Sequence, residues 1–273
     1  MYWQAYDLSD ARLHAAIKCI LVNRSADGQI ALPPVIRIFP ETDISIFIDF
    51  KGKFTNGNST FKTAINGIQS KYYYLANTEL NYSDKMMIVF QPGGLRYFTK
   101  VPISEFKNQL MATDEINDFI KNNIFQQMAE FESTSDRISF FESRLVQLIK
   151  FPPQSISLSL FIARNITRKG RLLSAEELNQ CTSLGLRQIQ RNFLNDIGVN
   201  MKLFLKISRF QNSKHILLHN VHNFLLKAWY DSGYYDQPQF NKDFKLLSGL
   251  TPVEFSNANN ICTINVPDMK NFL

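Results

Sequence analysis

The stretch Gly233-Tyr234-Tyr235-Asp236-Gln237-Pro238-Gln239-Phe240-Asn241-Lys242-Asp243-Phe244-Lys245, followed by Ser248-Gly249-Leu250-Thr251-Pro252-Val253-Glu254-Phe255, decides how the C-terminal third is read. Gly233 permits a turn. Asp236 can cap a helix that carries Pro238 in its first turn, where a missing N–H is tolerated. Phe240 and Phe244 are four residues apart and pack inward, which leaves Gln237, Asn241, Lys242 and Lys245 outside. Thr251-Pro252-Val253-Glu254 then opens another helix, with Pro at its first position and Glu at its third.

Working outward, the same arrangement of short helix, turn and second helix occurs upstream over Ser174–Ile197. Ser174-Ala175-Glu176-Glu177 has capping-box spacing, Leu178 lies on the first helix, and Ser183-Leu184-Gly185 is the turn. In the second helix Ile189 and Phe193 pack inward, while Arg187, Gln190, Arg191 and Leu194 share a neighbouring face. A helix-turn-helix needs this division of labour: one side of the recognition helix holds the unit together and the other enters the major groove. Arg can pair bidentately with guanine, and Gln or Asn with adenine, while Lys and backbone N–H groups meet phosphate. On pattern alone, a wetted helix face without a partner fits equally well.

The charge is unevenly placed. Residues 1–150 carry 16 Lys/Arg against 16 Asp/Glu, and residues 151–273 carry 14 against 8, so the whole net +6 sits in the C-terminal part. A basic part beside a neutral one suggests a polyanion partner for one domain only. With 45% hydrophobic residues and 23 Phe, the 273-residue chain can build two or three cores and is not a disordered polymer. No run reaches the roughly 18 apolar residues of a membrane helix, and the N-terminus lacks a secretory profile. Three distant cysteines, Cys19, Cys181 and Cys262, fit a reduced, cytoplasmic protein.

The first 110 residues read as strands and turns. Val35–Phe39, Ile44–Phe50, Tyr72–Leu75 and Met86–Phe90 are strand candidates, and Gly52, Asn56-Gly57-Asn58, Asn66-Gly67 and Gln91-Pro92-Gly93-Gly94 are turns. A compact β sheet or barrel follows, in preference to a doubly wound fold. From about Pro102 the period changes. Phe106, Leu110, Ile116, Phe119, Ile120 and Ile124 mark short helices, and Phe140, Leu145, Leu148 and Ile149 mark another that stops before Pro152-Pro153. The expected class is α+β multidomain: a β-rich domain over 1–110, with a cupin-like form among those it can take, a helical extension over 111–152, an all-α double helix-turn-helix domain over 153–255 and a loosely packed tail over 256–273.

The Gly233–Phe255 pattern resembles the DNA-binding domain of the AraC/XylS family of bacterial transcriptional regulators: a glycine-aromatic turn, a second recognition helix and a Gly-x-Thr-Pro-x-x-aromatic ending. Arg187, Ile189, Arg191, Phe193, Gly198 and Arg209 extend the match through the first unit. The resemblance implies seven helices in two helix-turn-helix subdomains joined by a long helix, here about Met201–Leu217. It implies base-reading faces of Arg187, Gln190 and Arg191 in the first unit, and Gln237, Pro238, Asn241 and Lys242 in the second, with Lys245 beside them. Pro238 can offer its ring to a thymine methyl. Implied partners are double-stranded DNA, RNA polymerase, a second copy of the chain and a small-molecule effector of the N-terminal domain, with no cofactor and no membrane.

The N-terminal part resembles the β-rich sensor domain of one subgroup through Leu32-Pro33-Pro34, Phe39-Pro40-Glu41-Thr42-Asp43, Phe90-Gln91-Pro92-Gly93-Gly94, Phe98, Pro102 and Glu105. Departures from the pattern are informative. Gly185 replaces a capping Ser, Asn179 a small packing Ala, and Ala228-Trp229 a large-aliphatic-then-Ala pair. Glu41-Thr42 replaces Asp-Gly, which alters the turn. Asp243 adds a negative charge beside the second face, where it would repel phosphate. Phe39, Phe47, Tyr72, Phe90 and Tyr97 are candidates to line an effector pocket, with core packing as the alternative.

Two rival readings come from other classes. His215, His219 and His222 have i, i+4, i+7 spacing that invites a zinc site, but no carboxylate or cysteine pattern accompanies them. A surface or interhelical role suits them better, and neither a CxxC pair nor a phosphate-binding Gly-Lys-Ser/Thr loop is present. The chain is therefore read as not an enzyme. The other rival is a small-ligand-binding or interaction module that has lost specific DNA binding.

Overall fold

A computed structural model describes residues 3–25, 35–77, 83–113, 123–149, 155–219 and 224–257. Ten strands lie among them: β1 (Gln4–Tyr6), β2 (Ile17–Ser25), β3 (Val35–Ile38), β4 (Ser45–Asp49), β5 (Phe54–Asn56), β6 (Ser59–Phe61), β7 (Thr63–Asn66), β8 (Tyr73–Asn77), β9 (Ser83–Phe90) and β10 (Leu110–Ala112). They form two antiparallel sheets, one ordered β1-β2-β9-β4-β7-β10 and one ordered β3-β8-β5-β6. The four expected strand segments are β3, β4, β8 and β9, and Gly57-Asn58 turns the β5–β6 hairpin.

The larger sheet is covered on both faces, so β4 and β9 are buried along their whole length. Leu21, Phe47, Met87 and Val89 meet Ile36, Ile38, Phe54 and Leu75 of the smaller sheet. On the opposite face Ile20, Ile46, Ile48, Met86 and Ile88 belong to a core shared with the helices. The period-two pattern of Ile44–Phe50 thus serves two cores and leaves no wet face. Two ion pairs are buried with it. Lys85 pairs with Asp49, and Arg137 Nη1 lies 2.8 Å from Asp84 Oδ1. Arg137 also donates to the carbonyls of Met128 and Phe131, so the Asp84 pair joins the sheet to the helix that carries Arg137 and to the segment just before it.

The described helices are α1 (Ile124–Met128), α2 (Thr134–Leu148), α3 (Ser155–Lys169), α4 (Ala175–Cys181), α5 (Leu186–Ile197), α6 (Met201–His219), α7 (Phe224–Asp231), α8 (Gln237–Ser248) and α9 (Pro252–Asn257). Two expected helical positions fall elsewhere. Phe106 ends a short 3-10 turn, and Leu110 lies in β10, paired to Asn66 of β7. Asn108 explains the break: its φ of +58° lies outside helical space. Ile116, Phe119, Ile120, Leu32-Pro33-Pro34, Pro152-Pro153, Cys262 and the tail from residue 258 onward lie outside the described residues.

Candidate nucleic-acid interface

Helices α4 and α5 form the first unit. Ser174 caps α4 as expected: its Oγ accepts from the Glu177 N–H at 3.1 Å, and Glu177 Oε2 accepts from the Ser174 N–H at 2.8 Å. Arg171, then Lys169, hold the Glu177 carboxyl well below the ordinary carboxylate range. After the Thr182–Gly185 turn, α5 buries Ile189, Phe193 and Ile197, and Phe193 packs edge-on against Phe204 of α6 at 5.6 Å. Arg187, Gln190 and Arg191 are exposed on the other side, with Leu194 beside them. Arg191 Nη2 donates to Gln188 Oε1 at 2.5 Å, which tethers the guanidinium along the helix. Gly185 offers no side-chain cap, as the sequence implied.

The second unit is α7 and α8. Asp236 Oδ1 accepts from the Gln239 N–H at 2.7 Å, which starts α8 with Pro238 in its first turn. Phe240, Phe244 and Leu247 are buried, whereas Gln237, Pro238, Asn241, Lys242 and Lys245 are exposed. In α9 Thr251 and Glu254 cap one another, at 2.7 Å for the Thr251 N–H and 3.2 Å for the Glu254 N–H.

Three sequence expectations change here. Asp243 is 4% exposed and lies 2.9 Å from Lys206 Nζ on α6, so its charge is spent inside the unit and does not face a ligand. Asn179 is exposed and does not pack between helices. Ala228 takes the fully buried position on α7, and the larger Trp229 sits half-buried at its side, so the close helix contact survives the departure.

Helix α6 joins the units. Its 19 residues span roughly 28 Å at 1.5 Å per residue. Arg209 on α6 ties the end of α3 to the turn of the second unit: its Nε donates to the Gly170 carbonyl beyond α3 at 3.0 Å, and its guanidinium lies 5.6 Å from the Tyr234 ring centroid. Gly233, at φ +81°, lets the second unit's turn come against Gly170, since a Cβ there would stand 2.9 Å from the Gly170 oxygen. Burial pushes the Tyr234 hydroxyl above its ordinary range.

The five aromatic pocket candidates do not converge. Phe39 and Phe47 line a cavity of about 20 Å³ between the sheets, with Ile38, Glu41, Asp43 and Met87 among its other walls. That is room for about one water. Phe90 is buried against Phe98, and Tyr72 stands beside Arg37. Burial raises the Cys19 thiol to about 12, which leaves it inert as a nucleophile. Of His215, His219 and His222, His222 lies outside the described residues, and no three His, Cys, Asp or Glu gather as metal ligands among those that are described.

The fold defines a class: a two-sheet β domain joined to paired helix-turn-helix units on one long helix. A family model described as "Domain of unknown function (DUF6597)" matches residues 8–112, less than half of the chain. No curated protein matches. Among solved structures, ToxT from Vibrio cholerae O395 bound to (E)-4-(8-methylnaphthalen-1-yl)but-3-enoic acid is 13% identical, covers 88% of this chain and 98% of its own, and has a TM-score of 0.46. An apo lysine-to-alanine variant of ToxT from Vibrio cholerae strain SCE256 is 17% identical, with 87% and 96% coverage and a TM-score of 0.44. These are loose likenesses of shape and carry no residue roles to this chain. No described helix is long and apolar enough to cross a membrane.

Proposed function

We propose that this chain is a sequence-specific duplex-DNA-binding regulator of transcription of the AraC/XylS type. The observation that carries the reading is the placement of eight residues. Arg187, Gln190, Arg191, Gln237, Pro238, Asn241, Lys242 and Lys245 all stand exposed on two helices whose opposite sides are anchored to α6. One rod of roughly 28 Å with a recognition helix at either part suits successive major-groove segments, about 34 Å apart. Arg191 and Gln190 would read bases, while Lys242 and Lys245 would meet phosphate or base edges. The same reading assigns the limits 1–110, 111–152, 153–255 and 256–273 to β domain, extension, DNA-binding domain and tail. RNA polymerase, a second copy of the chain and a small effector between the two sheets are its further partners. An effector there would have to displace side chains, because the present cavity holds about one water.

Selection of bound sequences from random duplex DNA tests the reading. An enriched motif lost in Arg191→Ala and Lys242→Ala, with unchanged circular dichroism, is the expected result. Folded protein that enriches nothing, with or without candidate ligands, would overturn it. The reading as a ligand-binding module without DNA affinity draws on the uncapped start of α5 at Gly185, and the same selection decides between the two.

A further inference from the structure

Counted from their first residues, α5 and α8 match position for position. Ile189 and Phe193 of α5 answer Phe240 and Phe244 of α8, and all four are buried within their units. On the exposed sides Arg187, Gln190 and Arg191 answer Pro238, Asn241 and Lys242. The two exposed sides also differ in polarity at two positions: Leu186 and Leu194 stand where α8 has Gln237 and Lys245.

Both leucines face water. Leu186 is 49% exposed and Leu194 37% exposed. A single exposed leucine needs no explanation. Here Leu186, Gln190 and Leu194 form one stripe at i, i+4 and i+8, with Arg187 and Arg191 beside it. Gln188 Oε1 accepts from Arg191 Nη2 at 2.5 Å, and Gln188 Nε2 donates to Asn192 Oδ1 at 2.6 Å. Around the helix, Gln188 and Leu194 lie on opposite sides of Arg191, so these bonds draw the guanidinium away from the stripe. The stripe itself then presents two apolar side chains with one amide between them.

A leucine offers a base edge neither donor nor acceptor. In the major groove the apolar group that it can meet is the C5 methyl of thymine, and Gln190 can pair with adenine N6 and N7. The same face carries Arg187 and Arg191, in the part of the chain that holds the whole net +6, which suits a polyanion better than an apolar protein surface.

We infer that Leu186 and Leu194 are specificity-determining residues that read thymine methyls. The first unit thus selects its half-site by methyl groups, and the second, with Gln237 and Lys245 in their places, does not. This rests on the DNA-binding reading above and gives the bipartite site an orientation. The two leucines are separated by about 12 Å along α5 at 1.5 Å per residue. The thymines that they meet therefore lie within about four base pairs of each other, at about 3.4 Å per step.

The test uses the full chain and the duplex that it selects. Replacing each thymine singly by deoxyuridine removes the methyl and keeps the base-pairing edge. At two thymines of one half-site, binding should weaken about three- to fourfold, which is what burying one such carbon contributes. Leu194→Ala should abolish the penalty at one of them and Leu186→Ala at the other. Lys245→Ala should weaken binding overall and leave both penalties in place. Leu194→Lys, which copies Lys245, should exchange methyl dependence for a salt dependence steeper by about one unit of slope. Because both leucines are exposed, circular dichroism of these variants should match the wild type. Penalties absent at every thymine, or unchanged in both alanine variants, would overturn the inference and leave the DNA-binding reading standing. Alanine variants that lose only self-association would overturn it too, and assign the stripe to a protein contact. Wild-type protein that enriches no duplex would sink the DNA-binding reading and this inference together.

Discussion

Arg209 offers the sharpest test of how the two units are held together. Its Nε–H meets the Gly170 carbonyl at 3.0 Å, just past the C-terminus of α3, where helix carbonyls favour a cation. A hydrogen bond from a charged donor contributes about 1.5–3 kcal/mol, and the guanidinium near the Tyr234 ring adds about 0.5–1 kcal/mol where water still reaches it. Because Arg209 is only half-buried, the lower ends apply, and Arg209→Ala should cost about 2 kcal/mol. For a chain of this length that lowers the melting temperature by roughly 4–8 °C. Arg209→Lys keeps the charge but loses both the Nε–H and the planar stacking surface, so it should recover less than half of the loss. Thermal unfolding followed by circular dichroism, with urea titration as a second measure, reads both variants. If Arg209→Lys is as stable as the wild type, charge alone accounts for the effect and the geometric argument fails. If Arg209→Ala shifts neither measure, the carbonyl contact carries no weight in joining the units.

Two further predictions follow from departures seen in the sequence. Gly185→Ser should stabilise the protein by a few tenths of a kcal/mol and tighten binding at the first half-site: φ is −64° and nothing lies within 4 Å of a Cβ, so a capping hydroxyl can be added without strain. Unchanged thermal stability in the folded variant would mean that the start of α5 does not limit the unit. Asp243→Asn should not tighten duplex binding, because Asp243 is buried beside Lys206, and it should lower stability. A gain in affinity, measured by fluorescence anisotropy, would return Asp243 to the DNA-facing side.

Local chemistry made the helical half readable. Ser174, Asp236 and Thr251 each announce a helix start with a side chain that reaches only three residues ahead, and all three make the expected hydrogen bond. The spacing of Ile189 with Phe193, and of Phe240 with Phe244, likewise fixes which side of each helix turns inward. The β half was less readable because its strongest strands serve two cores at once. A strand such as β9, buried at every position, loses the alternation that would tell one face from the other. Leu110 reads as helical for a related reason: an apolar residue after Phe106 fits either period, and only the turn at Asn108 and the pairing to β7 decide.

Contacts between distant segments left no trace in any local pattern. Nothing about Glu41 points to Lys214, 173 positions away, and Asp243 looked like a surface charge because Lys206 sits on another helix. Even so, the sequence marked the loop as unusual, with Glu41-Thr42 where a turn-forming Asp-Gly was expected. Asp-Gly would serve the turn alone, but the longer Glu side chain crosses to α6, where burial raises its carboxyl above the ordinary range and Lys214 opposes the rise. A residue that forgoes ideal turn chemistry to place a buried charge against another domain has been spent on long-range coupling. The pair ties the β domain to the helix on which both helix-turn-helix units pack, which it would not do if the two halves folded as independent bodies.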